Sequence, residues 1–253
     1  MRIGIEFFAS KEFLMPWDYL DWLQGLFYCA LERGQPKLAH KIHGIGFSGG
    51  GKRYKLVTFS LMCPEKYEKT PQGLHVRGRL RWWISSPLES VVEALALGLL
   101  AQPEVRFGIH TLHVGQISVL LPPTFTEKMT FITLSPIFVS TGHRNDEGKF
   151  CKRFLSPEEP EFTRVLVENL RRKFIAAYGE VSDGELRFEW LDEPRSKLFC
   201  VNKIKVRGWM LRFCVSGSTD LIRLGYDAGF GERNAQGFGM VCTPEEYPAA
   251  WRE

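Results

Sequence analysis

Six cysteines are scattered through this 253-residue chain, at Cys29, Cys63, Cys151, Cys200, Cys214 and Cys242, and none forms a C-x-x-C pair or a close cluster. That absence removes the usual spacing of a structural zinc site. Thiols set into apolar strand or helix patterns read instead as small hydrophobes. Long apolar runs are missing as well. The longest candidate, VVEALALGLLA, is short and interrupted by Glu93, too little for a membrane-spanning helix. The opening MRIGIEFFAS has neither an h-region nor a cleavage site. The expectation is a cytoplasmic protein with reduced thiols and no membrane partner. No Gly-Lys-Ser/Thr follows a glycine run, so a P-loop is excluded. A strong charge of one sign is also lacking. The net charge of +4 permits a nucleic-acid partner without requiring one.

What is present suits a soluble globular protein, with 44% hydrophobic and 25% charged residues, long enough to bury a core. The first half opens with an apolar strand, RIGIEFFA. A helix follows in WDYLDWLQGLFYCALERG, with Leu20, Leu23, Phe27 and Ala30/Leu31 at helical spacing and Gly34 as its stop. KLVTFSLMC and RLRWWIS read as strands. Ser86-Pro87-Leu88-Glu89 reads as a capping box that starts an apolar helix ending before Pro103, and HTLHVGQISVLLP closes the half as a strand. The second half repeats that order. MTFITLSPIFVS is a strand, and EFTRVLVENLRRKFIAAYG is a helix with Phe162, Leu166, Leu170 and Phe174 four apart. GELRFEWLD and the long RSKLFCVNKIKVRGWMLRFCVSG supply strands, Ser218 caps a last helix, and FGMVC ends the sheet. Each half reads βαββαβ, so the fold class is α+β with two tandem ferredoxin-like domains, 1–122 and 123–253, joined near PPTFTE. Such sheets host many functions.

The motif that narrows the function is GFGERNAQGFGMV, which places Gly229, Gly231, Gly237 and Gly239 within eleven residues. Glycine serves where backbone takes positive φ or must come close to a neighbour. Bare amides in such a loop suit phosphate oxygens. A dinucleotide fingerprint needs a strand before the glycines and a helix after them. Here the order is helix, glycine loop, strand, which is not a mononucleotide cradle. Taken alone the loop is equally well read as a mobile surface turn.

LIRLGYDAGFGERNAQGFGMV resembles the C-terminal signature of the CRISPR-associated endoribonucleases that cut repeat RNA, and LQGLFYCAL, KLAHKIHG, KLVTFSLM, ALALGLLAQPEVRFG and FITLSPIFV extend the likeness along the chain. The resemblance implies tandem ferredoxin-like domains and cleavage without metal or other cofactor. It also implies a 2′-hydroxyl nucleophile, with 2′,3′-cyclic phosphate and 5′-hydroxyl products. By position in those motifs it marks His43, Tyr28 and Lys55 as catalytic candidates. An imidazole near pKa 6.5 transfers protons at neutral pH, and a lysine offsets charge building on the phosphorane. For RNA binding it points to Gly229, Gly231, Arg233, Asn234, Gln236, Gly237 and Gly239. CRISPR repeat RNA is the implied partner; a CRISPR effector complex and a homodimer stay open. So does a non-catalytic repeat-RNA-binding subunit of the same superfamily.

Each residue also has a plain role open to it. Tyr28 suits a core position, Lys55 a solvated strand end, and His40 stands three residues from His43 as a rival. HKIH and HTLH offer histidine pairs, without the neighbouring acids of a metal site. Between His43 and Lys55 the glycine-rich GIGFSGGGKRY reads as a flexible loop, adding Lys52 and Arg53 as phosphate-facing cations. In KIKVRG, Lys203, Lys205 and Arg207 alternate along one strand face, which suits a phosphate track or simply a solvated face.

Overall fold

The structure, a computed structural model, describes residues 1–144, 148 and 150–251. The first half runs β1 (Arg2–Pro16), α1 (Leu20–Gly34) and a short α2 (Pro36–His40) that passes into a π turn over Lys41–Ile45. Then come β2 (Phe47–Gly49), β3 (Lys52–Tyr54), β4 (Thr58–Phe59), β5 (Cys63–Thr70), β6 (Gly73–Ser85), α3 (Glu89–Ala101), β7 (Glu104–Phe107) and β8 (His110–Leu120). Its sheet has the order β4-β6-β1-β8-β7, all antiparallel, with β5 also on β6. The alternation Ile3, Ile5, Phe7 sends one face of β1 into the core. Helices α1 and α3 cross at Gly34 and Gly98. A methyl group on either would stand 1.8 Å from a carbonyl oxygen of the other helix.

The second half runs β9 (Lys128–Thr133), β10 (Ser140–Arg144), β11 (Phe150–Phe154), α4 (Pro160–Tyr178), β12 (Leu186–Trp190), β13 (Arg195–Val201), β14 (Ile204–Met210), β15 (Arg212–Gly217), α5 (Thr219–Ala228) and β16 (Val241–Cys242). The sheet order β12-β15-β9-β16 is again antiparallel. Both halves thus carry the ferredoxin-like connectivity, the second with the β10–β11 and β13–β14 hairpins inserted. Ser218 caps α5 by accepting the Leu221 N–H at 3.4 Å.

Several boundaries differ from the sequence reading. KLVTFSLMC is not one strand, because Leu56 takes φ +53° and only Thr58–Phe59 pairs before β5. Helix α3 starts at Glu89 rather than at a Ser86 capping box. The Ser86 hydroxyl instead donates to Leu56 O at 2.6 Å and accepts from Leu88 N at 3.1 Å. MTFITLSPIFVS ends as a strand at Thr133, ahead of Pro136, which has no amide hydrogen for a ladder.

The halves are joined through their interiors. Phe238 and Ala235 of the glycine loop and Phe199, Val201 and Val206 of the β13–β14 hairpin belong to the first half's core cluster. The buried Arg2 guanidinium donates to Tyr226 O at 2.7 Å and Val241 O at 2.9 Å, and lies 3.5 Å over the Tyr226 ring. Among the described residues no helix is long and apolar enough to cross a membrane.

Candidate functional site

A cleft of about 500 Å3 opens between the halves. From the first half, α1 supplies Gln24 and Tyr28, and β3 with the segment after it supplies Lys52, Arg53, Tyr54 and Lys55. From the second come Asn169 and Lys173 of α4, Lys152, and the loop residues 231–236. Six lining side chains are Lys or Arg and one is acidic, Glu232, so the cleft favours a polyanion.

The three catalytic candidates come together at its edge. The Tyr28 ring, lining the cleft, meets the His43 ring edge-on with centroids 4.8 Å apart at 83°. His43 stands exposed on the π turn, whose i→i+5 bond from Gly46 N to Lys41 O measures 2.8 Å. Lys55 Nζ donates to the His43 carbonyl at 2.5 Å, fixing that turn from the cleft side. Burial pushes the Tyr28 phenol up to about 12, so at neutral pH it is a neutral hydrogen-bond donor. Burial, and then the Arg53 charge, pull the Lys55 ammonium down from the ordinary lysine value. His40, also exposed, ends α2 ahead of the π turn that carries His43.

GIGFSGGGKRY is not a free loop. It forms the β2–β3 hairpin, with Gly50 and Gly51 at φ +56° and +77° as its turn. Gly49 packs on α4 so tightly that a methyl group would stand 2.0 Å from Arg172 O. The hairpin thereby presents Lys52 and Arg53 to the cleft.

The C-terminal glycine loop also departs from the reading as bare backbone. Gly229, Gly231, Gly237 and Gly239 all take positive φ and all are buried. Many loop amides are already engaged: Phe230 N with Gly239 O (2.8 Å), Glu232 N with Phe138 O (2.8 Å), and Gly239 N with Pro136 O (2.9 Å). Asn234 turns inward, its amide donating to Phe230 O at 3.1 Å and Phe238 O at 3.0 Å. The glycines and Asn234 therefore shape the loop, and the cleft-lining side chains Glu232, Arg233 and Gln236 are what it offers a ligand. Arg233 donates to Gln236 Oε1 at 3.0 Å, with its guanidinium 5.4 Å from the Phe138 ring.

Lys173 holds this loop from beneath. It is 2% exposed, and its Nζ donates to Gly229 O at 2.6 Å and Gly231 O at 2.8 Å. Burial lowers its pKa to about 7, with the Glu232 charge opposing. Sequence reasoning missed Lys173, Asn169 and Glu232. The signal for the first two was present: both sit on the stripe of α4 that also buries Phe162, Leu166 and Leu170. Lys203, Lys205 and Arg207 are not brought to the cleft. Lys203 is in the Asn202–Lys203 turn, and Lys205 and Arg207 are exposed on either side of the buried Val206. The histidine pairs also have other surroundings: His110 stacks 4.5 Å from Phe13, and His113 lies 3.8 Å from Glu104. Among the described residues no three His, Cys, Asp or Glu gather as metal ligands.

Two family models match the chain. CRISPR-associated protein Cas6, N-terminal, spans residues 14–118, and CRISPR associated protein Cas6, C-terminal, spans 120–243. The chain is 35% identical over 235 residues to CRISPR-associated endoribonuclease Cas6 of Pyrococcus furiosus, covering 92% of this chain and 84% of that protein. It is 30% identical over 249 residues to CRISPR-associated endoribonuclease Cas6 1 of Methanocaldococcus jannaschii, covering 97% and 94%. A solved structure titled CRISPR associated protein Cas6 superposes with a TM-score of 0.82 at 30% identity, covering 96% of this chain and 98% of that one.

Proposed function

The chain belongs to the Cas6 family of CRISPR-associated endoribonucleases, and on that premise we propose that it binds CRISPR repeat RNA in the cationic cleft and cleaves it without metal. The 2′-oxygen beside the scissile phosphate attacks phosphorus, and the P–O5′ bond breaks. The 2′-hydroxyl proton leaves to a base, and the departing 5′-oxygen takes up a proton. The products end in a 2′,3′-cyclic phosphate and a 5′-hydroxyl.

The observation that carries this reading is the convergence of Tyr28, His43 and Lys55 beside a cleft lined by six Lys and Arg side chains. His43, free of the core, is the proton-transfer group. Tyr28, kept protonated, donates a hydrogen bond that orients the 2′-hydroxyl. Lys55 anchors the His43 backbone and places positive charge beside the developing phosphorane. Metal-bound hydroxide is unnecessary, because RNA carries a nucleophile already tethered next to phosphorus. Lys52, Arg53 and Arg233 engage phosphates in the cleft, and the exposed β14 cations Lys205 and Arg207 offer further phosphate contacts outside it.

The test is a repeat RNA with one 2′-deoxy nucleotide just 5′ of the cut, assayed with and without excess EDTA. Loss of cleavage with binding retained, activity in EDTA and a cyclic phosphate end are the expected results. Efficient cutting of the deoxy strand overturns the nucleophile, and EDTA-sensitive cutting overturns metal independence. A wild-type protein that binds the repeat but never cuts it is the non-catalytic subunit.

A further inference from the structure

The cleft contains one side chain that a phosphate groove does not need. Lys52, Arg53, Lys55, Lys152 and Arg233 line it with positive charge, alongside the buried Lys173, and Glu232 stands among them. A carboxylate repels phosphate and, when ionised, only accepts hydrogen bonds. Holding the loop to β10 would need only a neutral acceptor. In RNA the donors available to a carboxylate are base edges and the 2′-hydroxyl, and only base edges differ between nucleotides.

Glu232 is also placed in advance. Its backbone N–H donates to Phe138 O at 2.8 Å, and its Oε2 accepts from the Ser140 hydroxyl at 2.9 Å. The nearby Lys173 directs two donors to Gly229 O and Gly231 O. Among the described residues no ion pair occupies the carboxylate. Tyr54, half-buried, lines the same cleft beside it.

We propose that Glu232 is a specificity-determining residue that accepts hydrogen bonds from the amino-bearing edge of one nucleobase of the bound RNA. The fitting groups are the exocyclic amine of adenine or cytosine, or N1–H and N2–H2 of guanine. This inference rests on the repeat-binding reading above.

The experiment is a uridine scan of the repeat RNA, with Kd measured for the full-length wild type, Glu232→Ala and Glu232→Gln. The wild type should show one position where uridine weakens binding by roughly 5- to 150-fold, the range of one good base-edge pairing. Glu232→Ala should erase the penalty there and leave the rest of the profile intact. Glu232→Gln, which keeps one acceptor and the shape of the side chain, should reduce it and serves if the alanine variant fails to fold. Uniform tightening at every position, or an unchanged profile, overturns the proposal by showing charge repulsion or anchoring alone. A penalty that follows 2′-deoxy substitution rather than base identity also overturns it. A wild type that binds no repeat RNA overturns the repeat-binding reading, and this inference with it.

Discussion

At the tip of the β2–β3 hairpin, Gly51 takes a φ of +77° with nothing within 4 Å of where a Cβ would stand, whereas Gly239 takes +78° with Phe230 O only 1.9 Å from that point. The two φ angles are nearly the same and the surroundings are opposite. Gly51 is glycine because a two-residue hairpin turn needs positive φ. Gly239 is glycine for that reason and because a carbonyl occupies the space. The contrast extends to the two walls of the cleft. At the edge of one wall His43 stands on an exposed turn, held by the Gly46 N to Lys41 O bond and by Lys55 on the His43 carbonyl. The other displays Arg233 and Glu232 on a buried loop pinned by Lys173, Asn234 and the backbone of Pro136 and Phe138.

That comparison can be broken most severely at Gly239. Gly239→Ala should cost roughly 4 kcal/mol or more, because strained φ and a backbone clash add. Denaturant melts read this directly, and a loss under about 1 kcal/mol would show that the loop yields easily.

The exposed wall should behave in the opposite way. His43→Ala should cut the cleavage rate by ~10²–10⁴-fold with folding and repeat binding unchanged. His40→Ala should stay near wild type. If His40→Ala is the inactive variant, the site has been placed on the wrong side of the π turn.

Lys173 allows a test by pH. Its folded pKa of about 7 lies below the ~10.4 of an unfolded lysine. Between those values the unfolded chain binds a proton that the folded chain does not. Stability from this group therefore rises with pH across that window and is lost as pH falls towards 7. Lys173→Met should remove the rise, seen as a flatter pH dependence of the urea midpoint. Equal slopes would mean that Lys173 titrates normally.

Smaller effects are expected at the two loop surfaces. Arg233→Ala should weaken repeat binding and reduce the salt slope of log K by about 1, the contribution of one phosphate contact. An unchanged slope removes Arg233 from the phosphate track. Gly51→Ala should cost only about 1–2 kcal/mol, the penalty of a left-handed L-residue with open space around it. A loss as large as that at Gly239 would erase the distinction between the two segments.

The βαββαβ core order of both halves was legible in the residues, whereas β5, β7 and the β2–β3 and β10–β11 hairpins were not. Period-3.6 stripes such as Phe162, Leu166 and Leu170, and caps such as Ser218, report local geometry that each segment carries with it. Tyr28, His43 and Lys55 were legible as candidates because their motifs surround them, although 27 residues separate the first from the last. The glycine loop was legible in composition and misleading in exposure. Polar and glycine residues in a row suggest an open surface, and nothing local reveals that Phe230 and Phe238 pull the segment inward.

By itself the sequence determined where most helices and strands alternate, where glycines allow positive φ and which side chains are candidates for proton transfer and charge. Those are properties of a residue and its near neighbours along the chain. Only the tertiary structure decided that Asn234 faces in and Arg233 faces out, that the GGG hairpin docks on α4, and that Lys173 lies buried under the loop. It also decided that Glu232 is the one acidic side chain among the described residues lining the cleft. Each of these depends on which surface of one half meets which surface of the other. Burial, desolvation and close approach are set by that meeting, across separations that no local pattern encodes.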